Sequence, residues 1–193
     1  MRMFEFAPAH RWGRALILLA GIAGVASPVA RASADLNAQP LPPPGIAGPL
    51  SAEQRIGACI EAAAAAYRIP PVVIVILLHV EGGELGGVHR NANGTVDIGP
   101  MQINQIWLPT LARHWHASVH ATYAALEDNF CANVAGGSWI LHRAIEEARG
   151  HLWGGVAYYH SHTLDFETDY LRAVLHEVRH LQAEMRIRDR EGS

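Results

Sequence analysis

The stretch PPVVIVILLHVEGG, residues 70–83, constrains this fold more than any other part of the chain. Between Pro71 and Glu81 its only polar side chain is His79, so whatever element it forms has to be buried by the rest of the molecule. Val72 to Val75 are β-branched and, taken alone, suit a strand. Two features favour a helix: proline pre-sets the first helical turn, and the run up to Gly82 has the length of a short helix. Gly82-Gly83 then ends the element and leaves Glu81 on its last turn. Partial burial disfavours the charged form of a carboxyl and raises its pKa. A glutamate so placed can hold a proton near neutral pH and deliver it to a leaving oxygen. The plain alternative for Glu81 is a surface carboxylate at a helix end.

The remaining periodicity is mostly helical. SAEQ at Ser51 has the form of a capping box and opens an alanine-rich helix over residues 52–67. NANGTVDIG carries Asn93-Gly94, the dipeptide of a two-residue hairpin turn. Helical patterns follow over residues 126–149, stopped by Gly150, and over residues 165–185. The fold class expected is mainly α, of the α+β type, with one small β-hairpin, no repeats and no second domain. In the last helix Tyr170, Leu171, Val174, Leu175, Val178 and Leu181 form the apolar stripe, and residues 186–193 are left as a tail.

Ahead of the domain, Arg11 and Arg14 precede the apolar run ALILLAGIAGVA, and RASAD offers Ala32-Ser33-Ala34 as a small-x-small cleavage site. Residues 1–34 therefore read as a secretory signal peptide. An uncleaved anchor is the alternative, but the run falls short of the roughly 20 residues that cross a bilayer, so no stable membrane span is expected after cleavage. Residues 35–50, rich in proline, read as an extended tether. From Asp35 onward 11 arginines and no lysine stand against 17 acidic residues, a net charge of −6 with neutral histidines. Scattered arginines on an acidic chain exclude a nucleic-acid partner, which would require clustered positive charge. Cys59 and Cys131 both lie in the exported part, where a disulfide is expected; two buried free thiols are the alternative.

The segment HVEGGELGGVHRNANGTVDIGPMQINQIW resembles the catalytic core of the lytic transglycosylases of the soluble-transglycosylase, lysozyme-like family. It looks most like the small single-domain branch found with conjugation and secretion machines. In that family a glutamate ends a helix, and a Gly-Leu-Met-Gln-Ile-Asn motif lines the glycan groove. The matching residues are Glu81 and then Gly99 to Asn104. Tyr159-His160-Ser161 resembles the family's tyrosine-asparagine motif, and DYLRAVL at Asp169 its closing helix. Three positions depart from the pattern: Gly82 stands where serine is usual, Pro100 where leucine is, and His160 where asparagine is.

The resemblance implies a lysozyme-like fold over residues 51–185, no cofactor, a periplasmic location and peptidoglycan glycan strands as substrate, with components of a secretion or conjugation apparatus as partners. It implies Glu81 as acid and then base in a cleavage that consumes no water, because the sugar's own 6-hydroxyl closes a 1,6-anhydro ring. Tyr159 is implied as the orienter of Glu81, and Met101, Gln102, Asn104, Tyr159 and Ser161 as substrate contacts. Most glycosidases need a second carboxylate. Asp97 or Glu84 could supply one, which would make the chain a hydrolase; an inactive peptidoglycan-binding module is a further alternative.

HEVRH, residues 176–180, has the H-E-x-x-H form of a zinc peptidase. His176 and His180 fall on the polar side of the last helix, and a continuation with glycine at 183 and histidine at 186 is replaced by Ala183 and Arg186. HWH at His114 is an incomplete metal site, and no metal is expected. Trp107, Trp115, Trp139 and Trp153 are expected in the core or at interfaces more than as sugar platforms. Asn93-Gly94-Thr95 matches a glycosylation acceptor that the turn explains without sugar.

Overall fold

The computed structural model describes residues 50–191; the expected signal peptide and all but the last residue of the expected tether lie outside them. The chain is mainly helical with a small three-stranded antiparallel sheet. Helix α1, Ala52–Tyr67, starts at the capping box seen in the sequence: Ser51 Oγ accepts from the Gln54 amide at 3.2 Å, and Gln54 Oε1 accepts from the Ser51 amide at 2.8 Å. Helix α2, Pro71–Glu81, settles the strand-or-helix ambiguity. Val73, Ile74, Ile76 and Leu77 are buried in the core, and only Val72 and His79 are open to solvent. Continuous burial favours branched apolar side chains whatever the backbone, so their presence here reflects packing.

The sheet comprises β1, Val88–Arg90, β2, Val96–Ile98, and β3, Ile103–Asn104. It is one strand larger than the expected hairpin. After β2 a turn closes with the Gln102 amide donating to the Gly99 carbonyl at 3.0 Å, and Ile103 and Asn104 then pair with Ile98 and Asp97. The tip of the hairpin also differs from expectation. Gly94 is left-handed, with φ 84°, and Asn93 is not. The loop is a turn from Asn91 to Gly94 whose last residue, Gly94, is the left-handed one, and Asn93 Oδ1 accepts from the Thr95 amide that follows.

A short 3₁₀ turn, Gln105–Trp107, leads into α3, Leu108–His114, and α4, Val119–Asp128. The single helix expected over 126–149 is two: α4 ends at Asp128 and α5, Phe130–Glu147, begins after Asn129. Asn129 is extended, and its side chain accepts from the Ala132 amide, so a cap interrupts what apolar periodicity read as continuous. Helix α6, Leu152–His160, and α7, Leu164–Glu191, complete the chain. The expected tail is helical through Glu191, because no glycine or proline stops α7 at Met185. Tyr170 and Val174 are its buried residues, with Leu171, Val178 and Leu181 partly covered; Leu175, expected in the stripe, is exposed. Trp139 is buried in the core and Trp107 and Trp115 pack partly covered against it, whereas Trp153 is half exposed. No single helix among the described residues is long and apolar enough to cross a membrane.

Cys59 of α1 and Cys131 of α5 form a disulfide across 72 positions of sequence. Closing a loop of that size stabilises a fold by roughly 4 kcal/mol in the chain-entropy model. Reduction, or Cys59→Ala with Cys131→Ala, is expected to lower the unfolding free energy by about that amount, read as a shift in urea midpoint.

Candidate active site

Glu81 is the last residue of α2, and Gly82, left-handed at φ 61°, turns the chain away. The next residue explains the double glycine. A Cβ on Gly83 would run into the carbonyl oxygen of Gly99 and Nε2 of Gln102. Only glycine lets the segment after the acid lie against the 99–102 turn, which carries the sheet to the acid's side. Behind that turn sits Asn133 of α5, fully buried. Its Nδ2 donates to the carbonyls of Ile98 (3.0 Å) and Leu126 (2.8 Å), and its Oδ1 accepts from the Met101 amide at 2.8 Å. One side chain thus holds β2, the turn and the end of α4 to α5.

These elements enclose a cleft of about 360 Å³. Glu81 stands on one wall, with Asn91, Asp97, Gln102 and Asn104 from the sheet and its turns, Ile106, Trp107 and Ile140 as apolar lining, and Tyr159 and His160 from α6. Burial raises the Glu81 carboxyl to a pKa of about 7; the charge of Asp97 adds to the rise, while a hydrogen bond from Tyr170 opposes it. That bond runs from the Tyr170 hydroxyl to Glu81 Oε1 at 2.5 Å and joins residues 89 positions apart. Burial, with the Glu81 charge nearby, raises the Tyr170 pKa far above its ordinary value, so the phenol keeps its proton. The His160 ring lies flat on the Tyr170 ring, centroids 4.4 Å apart and planes 3° from parallel. Burial lowers the His160 pKa, against an opposing pull from Asp97.

Several expected residues meet here, and others do not. Glu81, Gln102, Asn104 and Tyr159 all line the cleft. Tyr159, however, is not the partner of Glu81: its hydroxyl donates to the Met101 carbonyl at 2.8 Å. Met101, expected as a groove contact, has no exposed surface and packs in the core against Gly137, because the 99–102 turn points its side chain inward. Ser161 follows the end of α6, outside the cleft lining, where its Oγ accepts from the Thr163 amide. Glu84 is exposed and absent from the lining, while Asp97 is present with both oxygens engaged: Oδ2 accepts from Asn91 at 2.9 Å and Oδ1 from Asn104 at 2.7 Å. Tyr170 was legible only as a stripe residue, since nothing local links it to Glu81.

His176 and His180 of HEVRH are exposed, and among the described residues no three His, Cys, Asp or Glu side chains converge as a metal site. The glutamate between them does have a role: Glu177 Oε1 lies 2.7 Å from His79 Nδ1, an ion pair when the imidazole is protonated, which joins α7 to α2 two turns along from the Tyr170–Glu81 contact.

No protein-family model and no curated protein matches this chain.

Proposed function

We propose that this chain is an exported, lysozyme-like lytic transglycosylase that cleaves the bond between N-acetylmuramic acid and N-acetylglucosamine in peptidoglycan. The observation that carries the reading is Glu81, a mostly buried carboxyl raised to about 7 at the wall of an amide-lined cleft. A group titrating near the working pH is suited to give a proton and then take one back. In the proposed reaction Glu81 protonates the glycosidic oxygen, the bond to the anomeric carbon breaks, and the substrate's acetamido group stabilises that carbon. The ionised Glu81 then removes the proton of the sugar's 6-hydroxyl, whose oxygen closes the 1,6-anhydro ring. Glu81 ends protonated again and no water is consumed. A nucleophile within the substrate has a high effective concentration, which removes the need for a second protein carboxylate. Such an enzyme in the periplasm would open the wall locally around an envelope-spanning secretion or conjugation apparatus.

Asp97, lining the same cleft, favours one second reading, a hydrolase with Asp97 activating water. Its two oxygens are already held by side-chain amides, which supports the one-carboxylate reading.

Clearing of peptidoglycan in a zymogram tests the enzyme against a binding module. The wild-type chain is expected to clear, with a rate that is level below pH 7 and declines about tenfold per unit above it, since the acid must be protonated. Tyr170→Phe deletes the hydrogen bond that lowers the Glu81 pKa and leaves a ring for His160 to stack on. The alkaline limb of the variant is expected to move to higher pH. No clearing by the wild type would contradict the proposal, and an unmoved limb would contradict the assignment of Tyr170.

A further inference from the structure

The hairpin floor of the cleft holds a hydrogen-bond network whose polarity can be worked out atom by atom. The Thr95 hydroxyl donates its one proton to Asn93 Oδ1 at 2.7 Å, so toward its other neighbours it can only accept. Asn91 Nδ2 reaches Thr95 Oγ1 at 3.1 Å and Asp97 Oδ2 at 2.9 Å. Asn104 Nδ2 reaches Thr95 Oγ1 at 3.0 Å and Asp97 Oδ1 at 2.7 Å. Each amide therefore spends both its protons on acceptors, and neither can be rotated end for end without setting a carbonyl against a carboxylate. Asn104 Oδ1 is also taken, by the Ile106 amide. The one polar atom of these two amides left over is Asn91 Oδ1. Gln102 differs: one Nε2 proton goes to the Gly99 carbonyl at 2.9 Å, so its second N–H and its Oε1 both remain for other partners. No lysine or arginine lines the cleft.

We propose that Asn91 is a substrate-recognition residue and Asp97 its positioning residue: Asp97 fixes the Asn91 amide so that its carbonyl is left to accept a hydrogen bond from the glycan, such as one from the acetamido N–H of an N-acetylated sugar. This deepens the glycan reading above and rests on it. It also gives Asp97 a task other than activating water, because a carboxylate with both oxygens engaged by Asn91 and Asn104 is committed to holding them. An acetamido N–H supplies one donor at a neutral site.

The test is calorimetric binding of chitohexaose to the full chain carrying Glu81→Gln, so that no turnover occurs. The Glu81→Gln protein is expected to bind it. Adding Asn91→Ala should weaken chitohexaose by roughly tenfold, as expected for one lost hydrogen bond. Adding Asp97→Asn should weaken chitohexaose to a similar degree, and its effect should nearly vanish in the Asn91→Ala background, because Asp97 acts through Asn91. Asn91 lies at a partly exposed turn, so its variant carries the test even where Asp97→Asn lowers stability. Unchanged chitohexaose affinity in the Asn91→Ala variant overturns the proposal, as does an Asp97→Asn penalty that persists undiminished without Asn91. Failure of the Glu81→Gln protein to bind chitohexaose overturns the glycan reading itself, a result distinct from both.

Discussion

Glu81→Gln is expected to reduce glycan cleavage by about a thousandfold or more, since general acid and base work both fall on this one side chain and each contributes roughly 10²–10⁴. The same change is expected to stabilise the protein above neutral pH. In the folded chain the carboxyl holds its proton up to about 7, against an ordinary value of 4.5. Between those values the folded state binds a proton that the unfolded state has released, so stability falls as pH rises through the window. At about 1.4 kcal/mol per unit, the ionised acid costs the fold about 3 kcal/mol above pH 7, a cost the amide does not carry. Urea unfolding at pH 4 and at pH 8 checks this: the variant should match the wild type at the lower pH and exceed it at the higher one. Equal stability at both would mean that the carboxyl is not held protonated by its surroundings. A catalyst that destabilises its own fold is the usual relation between a site and its scaffold.

Asn133→Leu is expected to cost about 4 kcal/mol of stability, large against a total of roughly 5–15 kcal/mol. Leucine has a similar volume but deprives the Met101 amide and the Ile98 and Leu126 carbonyls of their side-chain partner at a site with no solvent access. Each buried group left unpaired costs about 1–3 kcal/mol. Activity should fall with the fold, because the same three bonds hold the 99–102 turn and hence Gln102 beside Glu81. A urea midpoint close to that of the wild type would show that the turn is held by its backbone alone.

The parts of this molecule that are local in sequence could be read from it. The capping box at Ser51, the helix ended by Gly82 and the acid on its last turn follow from side chains within a few positions of each other. The break at Asn129 was local too, yet apolar periodicity outweighed a single capping residue, and the cap won. Met101 was misplaced because a motif says which residues sit together and not which way each side chain faces. The partner of Glu81 was illegible for another reason. Tyr159 and Tyr170 both approach the acid from the C-terminal helices, and only the packing of α7 on α2 decides which hydroxyl reaches it. HEVRH shows the converse, a strong local pattern whose glutamate serves to join α7 to α2 through His79.

The most direct test of the central claim is the mass of the sugars released from purified sacculi, measured by mass spectrometry with the Glu81→Gln protein as control. A transglycosylase leaves 1,6-anhydro ends, lighter by one water than hydrolysed ends, and the wild-type chain is expected to yield these alone while the variant yields none. Reducing-end products alone would contradict the account, and would return Asp97 to the role of the second carboxylate.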